Sequence, residues 1–356
     1  MDSSEDKIKV LIVDDSKFMC NVLDKILSSD PSIFVVGKAS DPYVARDLIK
    51  KLNPDVVTLD IMMPGMDGIT FLKNLMRLWP LPVVMVSALT EEGSAIGLEA
   101  LALGAVEYIA KPTTDELGNI ENYAQKFTDV VKKAAKSHVF KREYADIIKE
   151  REVKVFYQTD FLRKSIIAIG GSTGGIEAIE SILRQLPKTF PGIVITQHIR
   201  QDFVAPFTNR INRLCRLKVV EAKEGDEIVP GSVYVAPSDH HLIVKFNKNY
   251  FYCALTHNPP VNGHRPSVDA LFHSVAECAG PQGIGVLLTG MGADGAEGAK
   301  AIHDSGGTVI AQDEETSVVW GMPGAAVALQ AANYVTPLQD IPKQLFQVLD
   351  AMAQKS

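Results

Sequence analysis

The stretch "SIIAIGGSTGGIEAIESIL", Ser165 to Leu183, passes from an apolar run, through four glycines enclosing a serine, into a pattern of helical period. An apolar run, a glycine-rich turn and an amphipathic helix in succession form a strand–turn–helix unit, the repeating element of a parallel α/β sheet. The glycines around Ser172 satisfy G-x-S-x-G, in the strand-before, helix-after context that this pattern requires. Phosphate or nucleotide binding at the same helix N-terminus is the structural rival. The spacing is neither G-x-G-x-x-G nor a P-loop, because no Gly-Lys follows and no acid ends the next strand. Ser172 is therefore read as a nucleophile.

A hydroxyl nucleophile needs a base, and the base needs a group to orient it. The next apolar run, "GIVITQH", ends in His198, and "GIGVLLTGMGADG" ends in a glycine-rich loop carrying Asp294. In a parallel sheet the carboxyl ends of the strands share one crevice, so Ser172, His198 and Asp294 follow three strands that open onto it. Their chain order is Ser, His, Asp, not the Ser, Asp, His of α/β-hydrolases. Between them, "GSVYVAPSDHHLIVKFNKNYFYCALT" has two strand runs separated by the polar turn "NKN", a hairpin signal. His240 and His241 are adjacent there and point to opposite faces, which keeps them from sharing a metal. His257 and His264 lie in "HNPPVNGHRPSVD", which fits a substrate-facing loop or a solvated one equally well. Asp269 and His303 read as structural, and Met322 with Pro323 as a turn.

The first third of the chain repeats the alternation five times, in "KIKVLIVDD", "FVVGKAS", "PDVVTLD", "PVVMVSA" and "AVEYIAKP", each but the last followed by a helical pattern. Their carboxyl ends carry Asp14 and Asp15, Asp60, Ser87 and Lys111. Three carboxylates held together repel one another unless a hard cation lies among them, and Mg²⁺ prefers such oxygen ligands. With that charge balanced, Asp60 is placed to accept a phosphoryl group, while the Ser87 hydroxyl and the Lys111 ammonium stabilise it. For any single strand-end acid, simple capping of the next helix would be the better reading. Four matching strand ends favour the phosphoacceptor.

Composition sets the limits. A chain of 356 residues, 46% hydrophobic, exceeds one ordinary core, and two domains are expected. The formal net charge of -7 disfavours a nucleic-acid partner. No apolar run is long enough to span a bilayer, and the polar N-terminus "MDSSEDKIK" lacks a secretory pattern. Cys20, Cys215, Cys253 and Cys278 are scattered and form neither a zinc site nor a disulfide framework. A reducing, cytoplasmic setting and a monomer are expected. Between the two α/β blocks, residues 126–164 are dense in Lys, Arg, Glu and Asp and read as a charged linker. It is long enough for the first block to fold back over the second and occlude its crevice. The predicted domains are therefore 1–125, the linker 126–164, and 165–356.

The first block resembles the receiver domain of bacterial response regulators through the acidic pair Asp14–Asp15, "DIMMPGMDG" from Asp60, "VSA" with Ser87, and "KP" at Lys111 and Pro112. That resemblance implies a flavodoxin-like five-stranded parallel sheet and an aspartyl phosphate on Asp60. It also implies Mg²⁺ held mainly by Asp15 and Asp60 with the Met62 carbonyl, a switch aromatic at Tyr108, and a sensor-kinase phosphodonor. The second block is similar to the catalytic domain of chemotaxis protein-glutamate methylesterases in "AIGGSTGG", "QH" at Gln197 and His198, "VAPSDHH", "NGHRPSVD", "LLTGMGADGAEG" and "WGMPGAA". Here the expected fold is a doubly wound, mostly parallel sheet with an antiparallel hairpin. The resemblance implies hydrolysis of glutamate methyl esters on the cytoplasmic helices of chemoreceptors, with deamidation of glutamines, and a chemotaxis histidine kinase as phosphodonor. It implies Ser172 as nucleophile, His198 as base and then acid, Asp294 as orienting acid, and the amides of Met291 and Thr173 as oxyanion donors; no cofactor is expected for this step. Two rivals are a C-terminal domain that only binds a partner and a DNA-binding regulator, the latter disfavoured by the βα rhythm of the second half.

Overall fold

The computed structural model describes residues 7–87, 91–113, 120–140 and 157–354. The chain divides into two compact units, Met1–Asp146 and Ile147–Ser356.

In the first unit the order is β1 (Ile8–Val13), α1 (Lys17–Ser28), β2 (Ile33–Ala39), α2 (Pro42–Leu52), β3 (Val56–Asp60), α3 (Gly68–Leu78), β4 (Val83–Ser87), α4 (Glu91–Ala102), β5 (Glu107–Ala110) and α5 (Ile120–Ala135). The strands are short and rich in β-branched residues, and β3 and β4 are buried throughout, as a sheet covered on both faces requires. They pair in parallel in the order β2-β1-β3-β4-β5. Local chemistry sets the helix starts. The side chains of Ser16, Asp41 and Asp67 accept the N–H groups of Met19, of Tyr43 and Val44, and of Thr70.

The last helix of this unit corrects the predicted boundary. Residue 125 falls inside α5, whose Phe127, Val131 and Ala134 are buried in the same core as Val10, Val56 and Val84. The charged residues that read as linker, Lys126, Asp129 and Lys133, occupy positions of this helix between its buried ones. Residues 141–156 of the predicted linker lie outside the described residues. Its end is structured, because α6 (Thr159–Lys164) buries Leu162 and leads directly into the second sheet.

The second unit continues with β6 (Ile166–Gly171), α7 (Gly175–Leu183), β7 (Gly192–Gln197), α8 (Gln201–Leu214), β8 (Lys218–Glu221), β9 (Ser232–Val235), β10 (His241–Asn247) and β11 (Tyr250–Thr256). It closes with α9 (Val268–Ala279), β12 (Gly283–Leu287), α10 (Ala296–Asp304), β13 (Thr308–Gln312), α11 (Met322–Ala328), β14 (Tyr334–Thr336) and α12 (Ile341–Ala353). Seven strands pair in parallel in the order β14-β13-β12-β6-β7-β9-β8, and β10 and β11 form a separate antiparallel hairpin. Met322 and Pro323, expected as a turn, are instead the first two residues of α11, where proline is tolerated because the N–H it lacks has no intrahelical partner. From β6 the chain winds outward through β7 to β8, then returns on the other side through β12, β13 and β14. The switch in winding direction therefore lies at β6, with β12 and β7 on either side, and the crevice beyond the carboxyl ends of such strands is where ligands bind.

Among the described residues, no helix is long and apolar enough to cross a membrane.

Candidate active site and phosphoacceptor pocket

In the first unit, the ends of β1, β3 and β5 converge. Lys111, just after β5, places its Nζ 2.8 Å from Asp14 Oδ2 and 2.7 Å from Asp60 Oδ2. Asp14 and Asp60 are buried and Asp15 is exposed, and ligand oxygens of all three lie within 4.8 Å of one another. One ammonium does not balance three carboxylates. Burial pushes the Asp60 carboxyl above its ordinary range despite the pull of Lys111, and Asp14 pushes in the same direction. Burial pulls the Lys111 ammonium down, but its hydrogen bonds to the two carboxylates outweigh this and raise it overall. An all-oxygen, electron-rich pocket with one exposed edge suits a hard divalent cation. Ser87 is buried at the end of β4, and its carbonyl accepts the Lys111 N–H at 2.8 Å. The Met62 N–H reaches Asp60 Oδ1 at 3.4 Å, and its side chain is exposed. Tyr108 is buried on β5.

In the second unit, Ser172 follows β6 and His198 follows β7. These strands pair through Gly171 and Gln197, and the His198 N–H donates to the Gly171 carbonyl at 3.1 Å. Ser172 is fixed at its backbone from two sides. Its N–H donates to the Thr289 carbonyl at 3.0 Å, and its carbonyl accepts Gln197 Nε2 at 2.7 Å and the Gly175 N–H at 2.8 Å. Gly174 sits in the left-handed region at φ +78°, which closes the tight turn into α7. A Cβ on Gly290 would stand 2.2 Å from Met322 Sδ and 2.8 Å from Ser172 Cβ, so only glycine lets the loop after β12 approach the serine.

His198 Nε2 lies 2.8 Å from Asp294 Oδ2. Asp294 is 1% exposed, yet both its oxygens accept hydrogen bonds. Oδ2 also accepts the Val268 N–H at 2.8 Å, and Oδ1 accepts Ser267 Oγ at 2.7 Å and the Asp269 N–H at 3.2 Å. These donors form the N-terminus of α9, where unpaired amides and the helix dipole favour an anion. Burial raises the Asp294 carboxyl, but His198, Ser267 and the Val268 amide overcome it and bring it down to about 2. An ionised Asp294 requires His198 to carry its proton on Nε2, and Nδ1 is left as the basic nitrogen. That Nδ1 is buried and, among the described residues, has no hydrogen-bond partner. Among the described residues, the N–H groups of Thr173 and Met291 likewise meet no backbone acceptor.

The structure thus gathers Ser172, Thr173, His198, Met291 and Asp294 at the ends of three adjacent strands. It does not bring His240 and His241 to one ligand. The His240 Nδ1 meets Asp239 at 2.7 Å, whereas the buried His241 is held between the Pro259 carbonyl and the Ser267 N–H. The sequence does not reveal the backbone supports: Thr289 with its hydroxyl on the Thr173 carbonyl, the α9 N-terminus, and the role of Gln197, which it offers only as a motif residue. Ser267 carries a legible signal as the N-cap before an apolar helix, its side chain accepting the Ala270 N–H.

Fold and site together define a class: an acidic strand-end pocket on a receiver-like sheet, followed by a parallel α/β unit bearing a Ser-His-Asp grouping. Residues 167–345 match the family model described as CheB methylesterase, and residues 10–120 match the response regulator receiver domain. A Hydrogenovibrio crunogenus protein named protein-glutamate methylesterase/protein-glutamine glutaminase is 48% identical over 96% of this chain and 99% of its own length. A similarly named protein of Geobacter metallireducens is 44% identical over 99% of each chain. The crystal structure of the Thermotoga maritima CheB methylesterase catalytic domain aligns with a TM-score of 0.51 at 40% identity, over 52% of this chain and 98% of that one. The chain belongs to the CheB methylesterase family, with a response regulator receiver domain ahead of the methylesterase domain.

Proposed function

We propose that this chain is a phosphorylation-activated serine hydrolase that removes methyl esters from glutamates, and amides from glutamines, on the cytoplasmic helices of chemoreceptors. Membership of the methylesterase/glutaminase family supports the reaction class. The observation that carries the mechanism is the His198–Asp294 contact, made by an imidazole whose other nitrogen has no hydrogen-bond partner among the described residues, beside the turn that holds Ser172.

In this reading His198 Nδ1 takes the Ser172 hydroxyl proton as Oγ attacks the side-chain carbonyl carbon. The Thr173 and Met291 amides receive the oxyanion, and Asp294 stabilises the imidazolium. His198 returns the proton to the departing methoxide, releasing methanol, or to the departing amide, releasing ammonia. Water then hydrolyses the glutamyl ester on Ser172 with His198 again as base. In the receiver, Asp60 accepts the phosphoryl group from a chemotaxis histidine kinase, with Ser87 and Lys111 contacting it and Tyr108 reporting the change. Asp14, Asp15, Asp60 and the Met62 carbonyl would hold Mg²⁺, which offsets the charge that the carboxylates and the phosphoryl group share.

Methanol release from methylated receptor membranes, with and without a small phosphodonor, tests the reading. Release that rises with the phosphodonor and disappears in Ser172→Ala is expected. Release unaffected by that substitution would overturn the serine mechanism.

A further inference from the structure

Resting on that assignment of Ser172 and His198, we infer that the turn Val261–His264 is a clamp that positions the catalytic imidazole. The sequence "VNGH" forms a closed two-residue turn. The Val261 N–H donates to the His264 carbonyl at 3.0 Å and the His264 N–H to the Val261 carbonyl at 2.9 Å. Asn262 and Gly263 both have positive φ, +53° and +78°, the backbone of the Asn-Gly turn that joins tightly paired strands. Such a turn is stiff and projects the residue after it in a fixed direction.

The turn is fastened to the catalytic acid. Asn262 Nδ2 donates to Asp269 Oδ2 at 2.5 Å and reaches Asp294 Oδ1 at 3.4 Å. Asp269 is anchored in turn by the Gly298 N–H at 2.7 Å. The preceding loop is held separately, by His241 Nε2 on the Pro259 carbonyl and by Arg265 on the carbonyls of His257 and Asn258. The residue that the turn delivers lies flat on the base: the His264 and His198 rings are 3.9 Å apart at an interplanar angle of 9°.

That stack supplies what the Asp294 contact lacks. A single hydrogen bond at Nε2 fixes one atom of the imidazole but leaves the ring free to rock about that bond, which would swing Nδ1 away from Ser172. A parallel ring held against its face removes this motion. His264 is thus a positioning residue for His198, and Asn262 is the tether that keeps both its turn and the orienting acid in one frame.

The test uses the full chain and a fluorophosphonate probe, which reports Ser172 nucleophilicity without any receptor; fluoride leaves as Oγ bonds to phosphorus. Wild type should label at Ser172, and Ser172→Ala should not. Asn262→Gly preserves the positive φ and removes only the amide. It and His264→Ala should each label about 10- to 100-fold more slowly, the scale of a small misplacement of a catalytic group. His264→Phe, which keeps a ring for stacking, should stay within about threefold of wild type. On methylated receptor the slow variants should lose kcat with KM unchanged. If His264→Ala does not fold, Asn262→Gly and His264→Phe decide the matter. Wild-type rates in Asn262→Gly, or His264→Phe as slow as the tether variant, would overturn the clamp. Labelling of wild type at a residue other than Ser172, or none at all, would overturn the assignment of the site and the clamp with it.

Discussion

Each unit buries a carboxylate at the carboxyl edge of a parallel sheet, Asp60 as the last residue of β3 and Asp294 in the loop after β12, and the two are treated in opposite ways. Asp60 is 2% exposed, shares one lysine with Asp14, and has its carboxyl pushed above the ordinary range by burial. Asp294 is 1% exposed, accepts three donors from the start of α9 besides His198, and is brought down to about 2. Depth of burial is the same, so the donors to each carboxylate, together with the Asp14 charge beside Asp60, decide the outcome. A carboxylate short of donors stays receptive to a cation and a phosphoryl group. One saturated with donors is a fixed negative charge, suited to holding an imidazole in one tautomer.

The largest effect should come from breaking the catalytic side. Ser172→Ala and His198→Ala should each lower kcat for ester hydrolysis by about 10⁴- to 10⁶-fold, and Asp294→Ala should be milder, because members of such a grouping act as a unit. Steady-state methanol release measures this. An active Ser172→Ala enzyme would dissolve the contrast between the two acids.

On the other side, Asp60→Asn should abolish acid-labile phosphate incorporation from a small phosphodonor, and removal of Mg²⁺ should do the same. Label persisting in Asp60→Asn would move the acceptor elsewhere. In wild type, Mg²⁺ at about 100 times its dissociation constant should stabilise the receiver by about 2.7 kcal/mol. The thermal transition assigned to that unit should rise with Mg²⁺, and Asp60→Asn should suppress the rise.

The two acids should also have opposite pH dependence. Because the Asp294 carboxyl lies below its ordinary 3.8, its contribution is complete above that value and fades as pH falls toward about 2. Its size is on the order of 2–3 kcal/mol. The Asp60 carboxyl is raised, so its contribution is present below the ordinary carboxylate value and is lost as pH rises through its folded-state value. Urea unfolding between pH 5 and pH 2 should therefore show an acid-sensitive step that Asp294→Asn removes and Asp60→Asn leaves in place. Equal slopes for both variants would show that donor count does not separate them.

A smaller, local test addresses the domain boundary. Phe127→Ala should destabilise the receiver by about 3–5 kcal/mol, as deletion of a fully buried ring does, which the thermal transition of that unit measures. A receiver transition that does not move would return α5 to the linker.

Strand-end chemistry was legible because a parallel sheet has only one direction in which its carboxyl ends can face. Alternation of period alone assigns Asp14, Asp60 and Lys111 to one crevice, and Ser172, His198 and Asp294 to another. The end of the receiver is not legible in the sequence because the charges of "KFTDVVKKAAK" outnumber the residues that matter. Phe127, Val131 and Ala134 form a narrow stripe at helical spacing, and that stripe outweighs the charges once α5 packs on the sheet. The hydrogen-bond donors to Asp294 could not be read from the chain. Two of them are backbone amides 25 to 26 residues away, of which every non-proline residue has one, and the third, the Ser267 hydroxyl, is legible as an N-cap but not as a partner of Asp294. Residue types and their period determine which groups reach the crevice. Which of them are satisfied, which ring stacks on which, and hence which acid is receptive and which is inert, depend on distances between segments that only the packing of α9, the "VNGH" turn and the sheet edge sets.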